Sequence, residues 1–219
     1  MPYIRQITKS NNRTKVIEWG DNLQSNDFSE KTGVNKSSIH SKFSRIKIVI
    51  VDWTSGKKEK AVVVSHNMLP ANMKTIAELV IKNNFAVFEQ PDKNKKQKGY
   101  LEHNINFYRK DENGYSPVNL FNLQYQAAMN SPWTITITNG LAIASFNKLG
   151  GVNIKQGTYR KVDTATVYLS HFEMLSKMIE VRDYIKTFET INMSRMLKYR
   201  EEKENEKREK IEKMQQSNT

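Results

Sequence analysis

Val62-Val63-Val64-Ser65-His66 and Val167-Tyr168-Leu169-Ser170-His171 are two stretches of this chain that read as one unit written twice. At a constant offset of 105 residues, Met73 matches Met178, and apolar Leu69, Ile76 and Val80 match Met174, Val181 and Ile185. A run of alternating β-branched residues is followed in both places by an apolar stripe at helical spacing, so the pair reads as a strand-into-helix junction that recurs. Ser65 and Ser170 are the expected helix caps, which gives His66 and His171 an architectural place beside them.

Working outward from the first junction, Phe43 to Trp53 is the clearest strand. Its alternation puts Ile46, Ile48 and Ile50 on one face and Arg45, Lys47, Val49, Val51 and Trp53 on the other. Thr54-Ser55-Gly56-Lys57 reads as a turn, and Glu59 to Ser65 as the returning strand. Upstream, Tyr3–Ser10 and Thr14–Trp19 read as a hairpin around Asn11-Asn12, and the polar stretch Gly20–Ser41 as loop. Pro70 fits the first turn of a helix whose buried stripe is Met73, Ile76, Ala77, Val80 and Ile81.

The second junction is preceded by more strands. Tyr100–Arg109 and Tyr115–Gln126 flank Asp111-Glu112-Asn113-Gly114, and Trp133–Thr138 is expected to meet Leu141–Phe146 across an Asn139-Gly140 hairpin turn. Leu101, Ile105 and Phe107 read as the buried parity of their strand, opposite Tyr100, Asn104, Asn106, Tyr108 and Lys110. Val152–Lys155 and Tyr159–Ser170 follow, then a helix from Phe172 to Glu189. The expected class is α+β, with two repeats of an antiparallel sheet of about four strands, each followed by one helix. Residues 1–84 form the first repeat and 85–190 the second, together one compact domain, and 191–219 is a charged C-terminal helix or flexible tail. No apolar residue other than Tyr199 separates Leu197 from Ile211, so a stable coiled coil is not expected there.

The chain of 219 residues has a net charge of +12. Residues 192–219 contain 8 Lys/Arg and 6 Asp/Glu, a contribution of +2, which leaves +10 on residues 1–191. A folded part of one sign attracts a polyanion and holds it by releasing counterions. Cysteine is absent, so disulfides, thiolate metal sites and Cys nucleophiles are excluded. No apolar h-region opens the chain and no window is long enough to span a bilayer, so a cytoplasmic protein without a membrane partner is expected. The histidines His40, His66, His103 and His171 lack metal-ligand spacing, no phosphate-loop motif is present, and Asp52 and Glu102 are scattered acids. No catalytic residue, metal or cofactor is expected, and the chain is not read as an enzyme.

Basic and aromatic residues interleaved on strands are the stronger signal, because single-stranded nucleic acid is held by Lys/Arg on phosphates and by aromatic faces under the bases. The candidate nucleic-acid-binding residues are Arg45, Lys47, Trp53, Lys57 and Lys58 in the first half, and Tyr108, Lys110, Tyr125, Lys148, Tyr159, Arg160, Lys161 and Tyr168 in the second. Trp133 shares parity with Ile135 and Ile137 and reads as core.

The junctions at 62–82 and 167–187, with Trp133-Thr134-Ile135-Thr136-Ile137-Thr138-Asn139-Gly140, carry a resemblance in topology. Two sheet-plus-helix units, basic on the sheet side, are similar to the PC4/Whirly-like single-stranded DNA-binding superfamily, in which curved sheets face the strand and helices pack behind. The resemblance covers residues 1–190 and implies a largely sequence-independent single-stranded DNA-binding protein of replication, recombination or transfer in a phage, plasmid or bacterial genome. RNA remains an open variant, as does a homo-oligomer. A protein-assembly component that docks partners through 191–219 is the alternative reading, and an OB-fold barrel the structural competitor.

Overall fold

The computed structural model describes residues 5–23, 44–56, 58–89, 99–147 and 151–216. Strands β1 (Arg5–Asn11), β2 (Lys15–Asn22), β3 (Arg45–Asp52) and β4 (Val62–Met68) make an antiparallel four-stranded sheet in chain order, and helix α1 (Pro70–Ile81) follows. The second sheet is built from β5 (Tyr100–Ile105), β6 (Tyr115–Tyr125), β7 (Trp133–Phe146), β8 (Val152–Ile154) and β9 (Arg160–Leu169), after which α2 (His171–Gln216) begins. β6 pairs one edge of β7, while β9 and β8 share the other, β9 along Trp133–Leu141 and β8 along Ala144–Phe146. The chain is thus α+β with two antiparallel sheets and two long helices.

Alternation decides which face of each sheet is inside. Ile46, Ile48 and Ile50 of β3, with Ile17 and Trp19 of β2, are buried against the helices. On the second sheet Phe121, Leu123, Trp133, Ile135, Ile137, Ala165, Val167 and Leu169 are buried in the same cluster. β-branched and aromatic side chains fit this pleated, one-sided surface, and each fully buried one contributes about 1.5–3 kcal/mol. Met73, Ile76, Ala77 and Val80 of α1 meet Met174, Met178, Val181 and Ile185 of α2 within it. Ion pairs Lys74–Glu189 and Lys186–Glu78 cross the helix pair at 2.6 and 3.1 Å.

The strand-into-helix junctions differ from the sequence expectation. Ser65 and His66 lie inside β4, five and four residues before α1, whose N-cap is Leu69 without a side-chain hydrogen bond. Ser170 does cap α2: its Oγ accepts from Glu173 N at 3.2 Å, and Glu173 Oε2 accepts from Ser170 N at 2.8 Å, a reciprocal capping box. The matching offset is therefore 101 residues and not 105. At 101, buried Val64, His66, Met68, Met73, Ala77 and Val80 fall on buried Ala165, Val167, Leu169, Met174, Met178 and Val181.

Asn139-Gly140 is not a turn. β7 runs unbroken from Trp133 to Phe146, and its register against β9 slips at that dipeptide, which makes it a bulge. Glycine is needed because a Cβ there would stand 2.6 Å from both the Arg160 carbonyl oxygen and the Tyr159 ring. The parity expected for β5 is inverted as well: Leu101 is 58% exposed, while Tyr100, Glu102 and Asn104 share the inner face with Leu123, Phe121 and Asn119. α2 extends well past Glu189, to Gln216, for 46 residues or about 69 Å.

The sheets meet edge on face. Asn104, Asn119, Asn139 and Asp163 form one register row across β5, β6, β7 and β9, adjoining the row Glu102, Phe121, Ile137 and Ala165. β4, whose outer edge is unpaired within its own sheet, lies along this polar row. Asn104 Nδ2 donates to Asn67 O at 2.6 Å, Asn139 Nδ2 donates to Val63 O at 3.5 Å, and Asn139 Oδ1 accepts from Ser65 N at 3.5 Å. Backbone groups of a covered edge must find partners, and the asparagines supply them. The reciprocal contact is made by the row Lys15, Asp52 and Val62 of the first sheet: Lys15 Nζ donates to Thr166 O on the outer edge of β9 at 3.0 Å. Among the described residues no helix is long and apolar enough to cross a membrane.

Candidate nucleic-acid interface

Edge-on-face packing divides the inner face of the second sheet. On one side of the asparagine row it is core; on the other, rows Pro117–Leu141–Arg160 and Tyr115–Ile143 continue the same face past β4 as an overhang. Val63 and Ser65 of β4 point to the side of this overhang, so it forms a corner with the outer face of the first sheet. That outer face carries the rows Asn11–Val16–Val51–Val63, Lys9–Glu18–Val49–Ser65 and Gly20–Lys47–Asn67, with Asn22 beside Arg45. Among the described residues of that face, Lys9, Lys47 and Arg45 stand against one carboxylate, Glu18.

Arg45 is half-buried, and its guanidinium Nη1 donates to Ser44 O at 2.8 Å. Burial pulls its pKa down and the charge of Glu102 partly restores it, but a guanidinium starts so high that the cation persists. On the overhang, the Arg160 guanidinium lies 4.2 Å above the Tyr115 ring, a cation–π pair with Arg160 exposed. This puts a cation and an aromatic face on the wall of the corner, and cations on its floor.

The remaining expected residues fall into three groups. Lys47, Lys110, Lys161 and Tyr108 are at least partly open to solvent, Tyr108 being 67% exposed and stacked on Phe107 with ring centroids 4.0 Å apart. Trp53 sits just past β3, where its N–H donates to Thr14 O, and Tyr168 is 55% exposed on the outer face of the second sheet. Tyr125 is turned inward instead: it shares the inner face with Trp133 and packs on Phe85 and Trp133 at 4.4 and 4.8 Å. Tyr159 lies across Gly140 with its hydroxyl buried, and burial raises its pKa. Lys57 and Lys148 lie outside the described residues, as does the side chain of Lys58.

Tyr115 and Phe146 are not among the expected binding residues, and Phe107, expected on the buried parity with Leu101 and Ile105, is only half-buried. Phe107 meets the 60% exposed Phe146 edge-to-face at 5.6 Å, so the β5–β6 connection and the end of β7 share an open aromatic cluster beside Arg109 and Lys110. Its signal in the sequence was Phe107-Tyr108-Arg109-Lys110, aromatics next to cations in a segment ending at a turn.

The scattered acids are engaged in the framework. Glu102 Oε2 accepts from Tyr100 OH at 2.7 Å and Asn72 Nδ2 at 3.0 Å, and Oε1 lies 3.2 Å from Nε2 of the fully buried His66. Burial pushes this carboxyl up, but the bonds from His66, Tyr100 and Asn72 outweigh it and hold the pKa below the usual range. Because α1 has neither a capping side chain nor an acid in its first turn, Glu102 also brings the negative charge that its N-terminus favours. Burial likewise raises Asp52, yet bonds from Thr54 and Lys15 bring it to about 2. Among the described residues no group of three His, Cys, Asp or Glu could hold a metal ion.

No family model matches the chain, and no curated protein matches it either.

Proposed function

We propose that this chain binds single-stranded nucleic acid, DNA in the first place, without base specificity, in the replication, recombination or transfer of DNA. The observation that carries the reading is the corner itself: Lys9, Lys47 and Arg45 on an open sheet face, one opposing carboxylate, and the Tyr115–Arg160 pair on the adjoining wall. Cations on one open face neutralise phosphates along a flexible strand, and an aromatic face gives a base a stacking surface worth about 1–3 kcal/mol. A duplex is stiffer and presents no unstacked base. The chain is not assigned a reaction.

The same reading takes the two halves as a duplicated unit related to the Whirly-like fold. Its support is the register: both sheets end in a strand whose outer edge lies on a polar row of the other sheet, Ser65 and Thr166 being 101 residues apart at the two contacts. The protein-assembly alternative is favoured by one observation, the continuation of α2 past the core with Ile191, Met193 and Leu197 exposed.

The test is binding of labelled oligo-dT, the matching duplex and an oligo-U of the same length, each at two salt concentrations. Oligo-dT should bind most tightly and weaken steeply with salt, by a slope of about 0.7 per phosphate neutralised. Absence of oligo-dT binding at low salt, or tighter binding of duplex, would sink the proposal.

A further inference from the structure

The outer face of the second sheet differs from that of the first. Its rows are Gln124–Thr134–Tyr168, Leu101–Asn122–Thr136–Thr166 and His103–Leu120–Thr138–Thr164, with no Lys, Arg, Asp or Glu among them. On a chain of net charge +12 this is an unusual stretch of surface. A polyanion is not drawn to it, and a second copy of the chain can approach it without meeting like charge.

We infer that this face is where two copies of the chain associate, sheet against sheet. Its polar groups are prepared for being covered: Thr136 and Thr166 hydroxyls pair at 2.9 Å, and so do Thr138 and Thr164. A hydroxyl already bonded to its neighbour loses less on leaving water than one bonded to solvent alone. The face is also self-complementary. Its two large exposed apolar groups stand on opposite edges, Leu101 on β5 and Tyr168 on β9. A two-fold axis running along the strands brings Tyr168 of one copy into reach of Leu101 of its mate, as an isologous interface requires. Met129, 52% exposed, extends the apolar border next to Tyr168.

Four strands by five residues cover about 19 by 17 Å, less than one side of a standard interface, so the association is weak. The net charge of +12 on each copy opposes their approach at long range, so dimerisation is stronger, not weaker, as salt rises.

The experiment is sedimentation velocity of the full chain without nucleic acid, in about 0.5 M salt, from about 1 to about 100 µM. The wild-type mass should rise toward twice the 25.5 kDa of one chain. Thr136→Lys, which sets a charge at the middle of the face, should hold it at one chain mass throughout. Tyr168→Lys, at an exposed position that folding does not require, should do the same and serves where Thr136→Lys unfolds. A wild-type mass of one chain at the highest concentration overturns the inference, as does dimerisation of Tyr168→Lys equal to wild type. So does loss of oligo-dT binding by Tyr168→Lys with its mass unchanged from wild type, which would assign the face to nucleic acid. Because masses are read without nucleic acid, failure of oligo-dT to bind the wild type would overturn the proposed function alone.

Discussion

Replacing Gly140 by alanine separates the bulge from the turn that the sequence promises. The added methyl would stand 2.6 Å from the Arg160 carbonyl oxygen on one side and 2.6 Å from the Tyr159 ring on the other. The ring can swing, but the carbonyl belongs to a β9 residue paired with Leu141, so main chain must move. Overpacking of this kind costs about 1–3 kcal/mol, and the backbone contact argues for the top of that range. Against it, alanine recovers about 0.5–1 kcal/mol that glycine loses in a strand. The net expectation is a destabilisation of about 2 kcal/mol, or about 6 °C in Tm for a chain of this length. Urea unfolding followed by fluorescence of the buried Trp19 and Trp133 reads it directly. Gly140→Asn sharpens the test, since a type I′ turn accepts asparagine at low cost whereas the bulge must place a still larger side chain against β9. Gly140→Asn within about 0.5 kcal/mol of wild type would refute the bulge and everything built on the continuity of β7.

Other perturbations address the framework and the corner. Ser170→Ala removes the capping box of α2 and should cost about 1 kcal/mol in the same urea assay, while Ser65→Ala, inside β4, should leave α1 helicity by circular dichroism unchanged. Glu102→Ala strands His66, Tyr100 and Asn72 and should cost about 3 kcal/mol, with Glu102→Gln at about 1. Because the folded-state pKa of Glu102 is depressed, its advantage over Gln is complete above the unfolded carboxylate value of about 4.3 and is lost as pH falls through the folded value. Unfolding curves of wild type and Glu102→Gln that stay equally far apart well below pH 4 would contradict this. Lys47→Gln together with Arg160→Gln should flatten the oligo-dT salt slope by about 1.4, and an unchanged slope would remove both from the strand's path.

How much of this was legible from the residues depends on whether local or distant neighbours decide. The alternation of Ile46, Ile48 and Ile50 is local and came out as read, as did the interior places of Met73, Ile76, Ala77, Val80 and Trp133, whereas Ile81 of the expected α1 stripe is only half-buried. Asn139-Gly140 fits a turn and a bulge equally well, and what chooses between them is β9 and Tyr159, some twenty residues further on. The offset of 105 fails for a simple reason: an error of four keeps strand parity intact and turns a helix by little more than one revolution, so apolar positions still match. β5 was inverted because Leu101 and Ile105 look like core while Glu102 and Asn104 look like surface. The polar pair faces inward only because His66 and the edge of β4 wait there. Nothing local marks Asn104, Asn119 and Asn139 as a row; register alone assembles them. α2 beyond Glu189 has the propensity of a helix without an apolar stripe, which left a charged helix and a flexible tail both open there.

The polar rows also explain why the two halves differ in what they can hold. Each row fixes how far the opposite sheet's last strand may slide, and whatever lies past the row becomes overhang. β7 runs seven residues beyond Asn139, which makes a wall with Tyr115 and Arg160 over the cationic outer face of the first sheet. Past Lys15 and Asp52 the described residues of the first sheet are the Asn12–Thr14 turn and a β3–β4 connection with a short 3-10 turn at Lys58–Lys60. Under the proposed reading the two unequal overhangs would serve different partners, nucleic acid at the charged corner and a second copy at the uncharged face, even where the cores keep the same register.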